Sequence, residues 1–320
     1  MPKISVIVPI YGVEAYIEQC AMSLFEQTLD DLEFIFIDDC TPDKSMTILS
    51  SVIEKYRSRI THNNWIVKLA RMQTNSGQAA VRKYGIQLAT GDYIIHCDSD
   101  DWICSNMYKI LYQTAKDQRA DLVFCDYYIY KTDSSWIVAK KGINDTNKEV
   151  IFKRTLIKSS LNSVWSALAS KELYKRILFP VGDQSEDKTM IIQLCYYSKK
   201  VIYYGQPLYY YRINPDSISR TKSVPSIIRR YVQIQANRNI IHQFAQEQDL
   251  LIRYRSFFDT YFYMAKDILL PYLKDKKCRE LWLQTDPRIH GWILFNPHIS
   301  FRDKILYILN RIKCAYLSYS

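Results

Sequence analysis

The sequence has few glycines, eight in 320 residues, and none of them forms a Gly-x-Gly-x-x-Gly pattern. An oxidoreductase that binds a dinucleotide needs that pattern to bring its backbone close to the pyrophosphate. The segment after the first apolar run, residues 9–14, also lacks the glycine-rich, arginine-containing loop of an enzyme that makes sugar nucleotides. Both of these classes are therefore disfavoured.

Metal and disulfide patterns are also missing. The eight cysteines contain no Cys-x-x-Cys pair, and the five histidines have no metal-ligand spacing. Cys20, Cys97 and Cys195 fall inside predicted helices or strands. They are therefore predicted to be reduced packing residues rather than disulfides or zinc ligands.

Long hydrophobic runs are absent too. The longest uncharged stretch near the end, residues 289–301, has 13 residues, fewer than a membrane span needs. The first predicted strand begins at Lys3, which leaves no room for a signal peptide. Apolar residues make up 48% of the chain, enough for a substantial core. These features predict a cytoplasmic enzyme.

Apolar periodicity predicts strands that alternate with helices. The predicted strands cover residues 3–9, 32–37, 65–69 and 93–97, and the predicted helices cover 14–27, 45–56 and 78–88. Such alternation with short turns is typical of an α/β fold with a doubly wound, mostly parallel sheet and helices on both faces.

Asp98-Ser99-Asp100-Asp101 is the most informative segment, and it directly follows the strand at 93–97. An open α/β sheet binds its ligand at this end of its strands. Three neighbouring carboxylates repel one another unless a cation lies between them, and oxygen ligands suit Mg²⁺ or Mn²⁺ together with substrate phosphates. The alternative is a solvated acidic loop that caps a helix beginning near Ser105.

Other polar segments follow the remaining predicted strands. They are residues 9–11, Asp38 with Asp39, and Asn75. Because all of them fall on one edge of a parallel sheet, a site at that edge is more plausible than several unrelated turns.

Taken together, these motifs resemble the large inverting family of nucleotide-sugar glycosyltransferases with the GT-A fold, called family 2. The resemblance covers roughly residues 3–215, and each motif alone would be weak. The matching positions are residues 6–11, 27–28, 38–39, 75–77, 82, 85, 89–93 and 98–102.

The resemblance implies a site for a nucleotide-sugar donor, with a UDP-sugar favoured, and for Mn²⁺ or Mg²⁺. Pro9 and Tyr11 would hold the nucleotide, Asp39 would lie near its base and Asp98 near its ribose. Asp100 would be the main metal ligand, with Asp98 beside it. The other implied donor contacts are Glu14, Asn75, Ser99 and Arg82, the last of which would touch phosphate unless it is an ordinary surface arginine. The sequence departs from the family pattern at Gly12 and at residues 40–44, so the identity of the nucleotide base and of the donor sugar stays open.

The acceptor side of the site is implied by Ser185-Glu186-Asp187, which precede a predicted helix at 188–197. In the family the aspartate of this pair is the general base, so Asp187 would take the acceptor proton. The alternative is that these residues only cap the helix, since carboxylates are stabilised at a helix N-terminus.

Three further residues are expected to contact the acceptor or phosphate. Glu186 belongs to the same pair. Trp165 matches an aromatic before a short strand and would stack on a sugar, unless it is simply buried. Arg212 follows three tyrosines, and this run together with 217–219 resembles the family's closing loop.

The C-terminal region differs in charge from the rest, and the predicted domains are 1–220 and 221–320. Residues 221–320 carry a net charge of +8, against +2 for the first 220. Helices are predicted at 226–246, 251–273 and 301–316. The last has an apolar stripe among cations, which suits peripheral contact with the inner face of the plasma membrane. Packing within its own domain or in a homodimer is the alternative, and nucleic acid is disfavoured because no binding motif accompanies the charge.

The sequence therefore predicts a metal-dependent, inverting glycosyltransferase. It would move a sugar from a nucleotide sugar to a hydroxyl of a glycan or lipid-linked acceptor in surface polysaccharide assembly. The alternative is a non-catalytic scaffold or binding subunit that keeps the fold. Retention of Asp98, Asp100 and Asp187 argues against that alternative.

Overall fold

The computed structural model describes residues 1–130, 135–139, 145, 147–157, 163–213, 223–289, 291 and 293–319. The strands within these residues are β1 (Ile4–Ile10), β2 (Leu32–Asp38), β3 (Ile66–Arg71), β4 (Tyr93–His96), β5 (Trp102–Ile103), β6 (Leu122–Tyr130), β7 (Trp136–Ala139), β8 (Ala167–Ser170) and β9 (Val201–Arg212).

Helices alternate with these strands through the first two hundred residues. They are α1 (Ile17–Phe25), α2 (Ser45–Lys55), α3 (Arg57–His62), α4 (Gln78–Leu88), α5 (Met107–Gln118), α6 (Lys148–Ile157), α7 (Lys171–Tyr174) and α8 (Glu186–Tyr197). Those of the C-terminal region are α9 (Val224–Glu247), α10 (Leu250–Arg253), α11 (Arg255–Tyr263), α12 (Lys276–Leu283) and α13 (Phe301–Tyr319). Short 3₁₀ helices cover Val164–Ser166, Met264–Tyr272 and Ile293–Phe295.

The strands form one mixed sheet in the order β3-β2-β1-β4-β8-β6-β9-β5, with β7 added to β6. The first four predicted strands are confirmed and pair in parallel, β2 with β1 and β3, and β1 with β4. Beyond β4 the short β8 runs antiparallel to both of its neighbours, while β6 and β9 pair in parallel. The carboxyl ends of β1, β2 and β4 therefore lie at one edge, as the predicted α/β fold requires.

Both faces of the sheet are buried at β1, which explains why this strand is apolar at every position except Ser5. Val6 and Val8 point into a cluster with Phe34 and residues of α1, α2 and α5. Ile7, between them in sequence, points into the opposite cluster with residues of α4 and α8. The strand continues one residue past Pro9, so the proline does not end it as expected.

The tyrosine run before Arg212 is not a closing loop, which corrects that part of the sequence prediction. Tyr209, Tyr210 and Tyr211 belong to β9, where they pair with Tyr127, Tyr128 and Ile129 of β6. Aromatic side chains favour strands because they pack well on a pleated surface. Residues 217–219, the rest of the proposed loop, lie outside the described residues.

The chain divides into two compact units. One comprises Met1–Phe152 and Ser160–Pro215, and the other comprises Lys153–Ser159 and Asp216–Ser320. In the second unit, the single helix expected at 251–273 is broken into α10, α11 and the 3₁₀ helix that contains Pro271. Proline lacks the backbone N–H that a regular α-helix needs there. Among the described helices, none combines the length and apolar character needed to cross a bilayer.

Candidate functional site

The centre of the site is Arg82, which α4 carries into the interior with its side chain only 1% exposed. Its Nη1 donates to Glu186 Oε1 at 2.8 Å and to Asp187 Oδ1 at 2.7 Å. Its Nη2 donates to Asp98 Oδ1 at 2.8 Å. One guanidinium therefore joins the acidic turn after β4 to the N-terminus of α8.

Arg82, Glu186 and Asp187 have shifted pKa values in this cluster. Burial alone would lower the pKa of Arg82, but the carboxylates outweigh burial and hold that pKa above its ordinary value. Burial raises the pKa of Asp187 to about 7, although the nearby Arg82 acts to lower it. Burial also raises the pKa of Glu186. Asp187 is therefore a carboxyl that changes its charge near neutral pH.

Exposure separates the carboxylates into two kinds. Asp98 and Asp187 keep 19% and 20% of their side chains exposed, whereas Glu186 keeps 8%. Asp98 and Asp187 can therefore reach a substrate, while Glu186 lies beside the buried Arg82. In this structure Arg82 contacts acids and its side chain is closed to solvent, and its contact with phosphate stays a prediction.

The start of α8 is built to hold Asp187. Ser185 has φ +63°, the left-handed region, and so turns the chain sharply before the helix. The Val164 N–H, in a 3₁₀ helix, donates to Asp187 Oδ2 at 3.3 Å. Ser185, the N-cap residue, makes no side-chain hydrogen bond to the helix, although Glu186 and Asp187 both lie in its first turn.

The acidic turn after β4 does not present three equivalent carboxylates. Asp101 is 1% exposed and accepts from the Tyr209 hydroxyl at 2.7 Å and from the Arg212 N–H at 2.7 Å. Burial, with repulsion from Asp100 and Asp98, raises the pKa of Asp101 well above its ordinary value. The Asp98 N–H donates to the same tyrosine hydroxyl at 3.1 Å. Asp101 thus fixes the turn and leaves Asp98 and Asp100 as its outer carboxylates.

Asp98 and Asp100 are the candidate ligands for the cation that the sequence predicts. Among the described residues, no group of three or more acidic, histidine or cysteine side chains is arranged to hold a metal. Mg²⁺ is commonly held by only one or two carboxylates, with substrate phosphates and water completing its ligands. Asp98 uses only Oδ1 for Arg82 among the described contacts, so its other oxygen fits such a site.

Asp39 is predicted to lie near the base. Both of its carboxylate oxygens accept hydrogen bonds from the loop before α4. Oδ1 accepts from the Ser76 N–H at 2.7 Å and Oδ2 from the Gly77 N–H at 2.9 Å. The Asn75 amide donates to the Asp39 carbonyl at 3.4 Å. The structure thus brings Asp39 and Asn75 together, and it shows Asp39 shaping the loop.

The loop after β1 is fastened to the loop after β2. The Glu14 N–H donates to Asp43 Oδ2 at 2.9 Å, and Glu14 Oε2 accepts from the Lys44 N–H at 3.0 Å. Three further hydrogen bonds, from the Thr41 hydroxyl and from the hydroxyl and N–H of Ser45, act with that from Glu14 to lower the pKa of Asp43 to about 2, against the effect of burial. Tyr11, at the tip of the loop, is 48% exposed, and so its ring is accessible to a base.

Trp165 and Arg212 both lie within aromatic packing. Trp165 is 7% exposed and stacks on Tyr209 with ring centroids 4.2 Å apart, which favours the buried alternative over a sugar platform. The Arg212 guanidinium lies 4.6 Å from the Trp102 ring centroid, and its Nε donates to the Asp100 carbonyl at 2.9 Å. Arg212 therefore supports the acidic turn.

Sequence reasoning missed two contributors to the site. Tyr209 bridges Asp98 and Asp101 through its hydroxyl, and only its position in the tyrosine run hinted at a role. Val164 acts through its backbone N–H, which no side-chain motif reveals.

The sheet order, the acidic turn at the end of β4 and the carboxylate-bearing start of α8 define the class as a GT-A glycosyltransferase fold. A model of the family described as "Glycosyl transferase family 2" matches residues 5–204. Because the match covers more than half of the 320 residues, the chain belongs to that family, and its family relatives are named glycosyltransferases.

Individual relatives agree. The chain is 30% identical over 236 residues to an uncharacterized glycosyltransferase, EpsJ, of Bacillus subtilis, covering 71% of this chain and 66% of that protein. It is 29% identical over 217 residues to the poly(ribitol-phosphate) beta-glucosyltransferase of Bacillus spizizenii, covering 67% of this chain and 33% of that protein. The structure of S. aureus TarS 1–349 in complex with UDP-GlcNAc matches with a TM-score of 0.56 and 19% identity, covering 85% of this chain and 84% of that one. This last likeness confirms the predicted fold.

Proposed function

We propose that this protein is a metal-dependent, inverting glycosyltransferase that uses a UDP-sugar and transfers the sugar to a hydroxyl group. The observation that carries the proposal is the double engagement of Arg82. Its guanidinium binds Asp98 on the predicted donor side and Asp187 on the predicted acceptor side, at 2.8 and 2.7 Å. A purely structural arginine would not need two carboxylates that each keep access to solvent.

Asp187 is the proposed general base. A catalytic base works best when its pKa lies near the working pH, and that of Asp187 is about 7. It accepts the proton of the acceptor hydroxyl as the hydroxyl oxygen forms a bond to the anomeric carbon. The bond from that carbon to the diphosphate breaks in the same displacement, so the configuration inverts.

Asp98 and Asp100 are the proposed holders of Mn²⁺ or Mg²⁺. When bound, such a cation neutralises the charge that grows on the diphosphate as it leaves. The protein's own part is to fix the turn, since Tyr209 and Arg212 hold Asp101 and so orient the outer aspartates. The nucleotide pocket is proposed to be lined by Tyr11, Glu14, Asp39 and the loop at Asn75, with Pro9 and Ser99 beside them.

The proposed acceptor is a glycan or lipid-linked molecule of surface polysaccharide assembly. Support comes from the relative named poly(ribitol-phosphate) beta-glucosyltransferase, because that name gives a polymer as the acceptor of the relative. The proposed location is the cytoplasm, with peripheral contact at the inner face of the plasma membrane. The net +8 of residues 221–320 supports this contact.

The test is release of nucleotide from a panel of UDP- and GDP-sugars, with Mn²⁺ and with a chelator. An enzyme releases UDP from one donor, slowly with water as acceptor, and stops when the metal is removed. A non-catalytic scaffold binds a donor without releasing nucleotide under any of these conditions, and that result would reject the proposed function.

A further inference from the structure

Helix α13 exposes an apolar face. Ile305, Leu309, Ile312 and Tyr316 are 41%, 55%, 63% and 75% exposed, and their spacing of three or four residues places them on one side of the helix. Phe301, one turn earlier, is 80% exposed. Soluble surfaces rarely gather so many large apolar side chains in one stripe, and such a stripe marks an interaction surface.

The opposite side of α13 is the one that packs. Cys314 is buried there, in a cluster that includes Trp282 of α12, and the Tyr307 ring lies 5.7 Å from that tryptophan. Seven residues separate Tyr307 from Cys314, two turns along the same face. The helix is therefore already anchored to its unit, and the exposed stripe is not its packing face.

Cations border the stripe on both sides. Arg302 and Lys313 lie along one flank, since they are separated by a near-whole number of turns, and Lys304 lies on the other side. Arg311 lies closer to the packed side, where its Nη1 donates to the Tyr307 hydroxyl at 3.1 Å. The helix has one acidic residue, Asp303, which lies toward the packed side and is bound by the Ser300 hydroxyl at 2.6 Å. The exposed side thus combines an apolar stripe with two positive edges.

We infer that α13 is an interfacial helix that lies in the plane of an anionic lipid surface. The stripe enters the boundary between headgroups and acyl chains, and the flanking cations meet the anionic headgroups. This inference rests on the peripheral membrane contact proposed above, and it is independent of the transfer chemistry. The inference assigns the membrane contact to the exposed face of α13 rather than to the net charge of residues 221–320.

The charge pattern selects lipid over a second copy of the chain. If two copies joined through their stripes, the cations of one helix would approach those of the other, and like charges at a short distance oppose association. The headgroups of an anionic bilayer can pair with the cations on both sides of the stripe at the same time. The occupant that fits the apolar and charged parts together is therefore a membrane surface.

The first test changes the stripe alone. Leu309→Ser, Ile312→Ser and Tyr316→Ser, made together, should lower partition into vesicles of 30% phosphatidylglycerol and 70% phosphatidylcholine by about 100-fold. The matched control is Val232→Ser with Ile252→Ser, since these residues are 58% and 93% exposed elsewhere in the same unit. The control protein should partition like the unchanged protein.

The second test changes the cations alone. Arg302→Gln, Lys304→Gln and Lys313→Gln together should also lower binding by about 100-fold, and binding should weaken with salt. Lys274→Gln, Lys276→Gln and Lys277→Gln remove the same charge from exposed positions around α12 and should change binding little. If both triple variants lose the same affinity, net charge rather than the helix drives binding, and the inference fails.

Other outcomes would also overturn it. Unchanged vesicle binding after the serine substitutions would show that the stripe does not insert. A dimer of the intact protein that the serine variant loses, without vesicle binding, would identify a second copy as the occupant. UDP release by the same variants distinguishes this failure from failure of the proposed function, because none of these residues lies in the proposed site.

Discussion

Arg82 and Asp187 show how the interior of a protein can set the reactivity of a single group. Desolvation pushes the Asp187 carboxyl toward its neutral form, and the cation 2.7 Å away pulls it back. The outcome is a pKa of about 7, far from an ordinary aspartate and useful for a base. Glu186, on the same guanidinium but less exposed, shares the charge of Arg82.

Asp187→Asn and Asp100→Asn are expected to fail in different ways. Asp187→Asn should leave UDP binding intact and reduce turnover by about 100-fold or more, because it removes proton abstraction. Asp100→Asn should weaken Mn²⁺-dependent UDP binding as well as turnover. Calorimetry with and without Mn²⁺, alongside UDP release, separates the two effects.

Each substitution keeps the shape of the side chain, so loss of folding should not confuse the comparison, and Asp30→Asn provides a control away from the site. Near-normal turnover by Asp187→Asn would place the base elsewhere. Normal metal binding by Asp100→Asn would show that the outer aspartates do not hold the cation.

The pH dependence of turnover follows from the same pKa. Only the ionised form of Asp187 accepts a proton, so turnover should rise with pH and level off above about 7. Because Arg82 lowers this pKa, Arg82→Gln should move the rise to higher pH, whereas Arg82→Lys keeps a positive charge and should move it less. Circular dichroism identifies variants that remain folded, and an unchanged profile in folded Arg82→Gln would remove Arg82 from this role.

At the scale of elements, the close packing of α4 on the sheet keeps Arg82 in place. Gly85, less than one turn beyond Arg82, lies where a Cβ would be 2.5 Å from Ile7 Cγ2 and 2.8 Å from Ile37 Cδ1. Any larger residue would push the helix away from β1 and β2. Gly85 thus allows α4 to pack close to the sheet. This close packing keeps the Arg82 guanidinium within hydrogen-bond distance of its carboxylates.

Gly85→Ala is therefore expected to lower the free energy of unfolding by about 1–3 kcal/mol, as overpacking of a tight core does. Gln87→Ala, at an exposed position of the same helix, is the control and should change stability by less than about 0.5 kcal/mol. Urea unfolding measures both. A neutral Gly85→Ala would mean that α4 can shift on the sheet without cost.

The elements differ in how well the sequence predicts them. β1, β2 and β4 have dense β-branched and apolar residues because both their faces are buried, so their pattern is plain. β6 and β9 are rich in tyrosine and partly exposed, and their pairing depends on residues about 80 positions apart, which no local pattern contains. The site shows the same limit: motifs flagged Arg82 and Glu186 separately, but their contact joins residues 104 positions apart.

For the whole molecule, the division into two compact units has a thermodynamic consequence. Each unit has its own buried cluster, the first around the sheet and the second around Tyr231, Leu269 and Trp282. The proposed donor site lies wholly within the first unit. Binding at that site therefore stabilises one unit directly, because a ligand that binds only the folded state adds to its stability.

Calorimetric unfolding is accordingly expected to show two transitions. UDP with Mn²⁺ at about 100 times its dissociation constant should raise the melting temperature of the first unit by about 5–10 °C and leave the other unchanged. Mn²⁺ alone is the control. A single transition that moves as a whole would show that the two units unfold together.

The meeting of three carboxylates on Arg82 also restricts how this protein can change by mutation. Losing the arginine first is costly, because it leaves three neighbouring carboxylates, one of them buried, without their cation. Losing one acid first leaves the arginine with two partners. The order of substitutions therefore matters, and the same change at residue 82 is harmful in one background and tolerable in another. In a scan of double mutants, substitutions of Arg82 should show strong epistasis with substitutions of Asp98 and Asp187. In homologous proteins that have lost activity, an aspartate should be lost before the arginine.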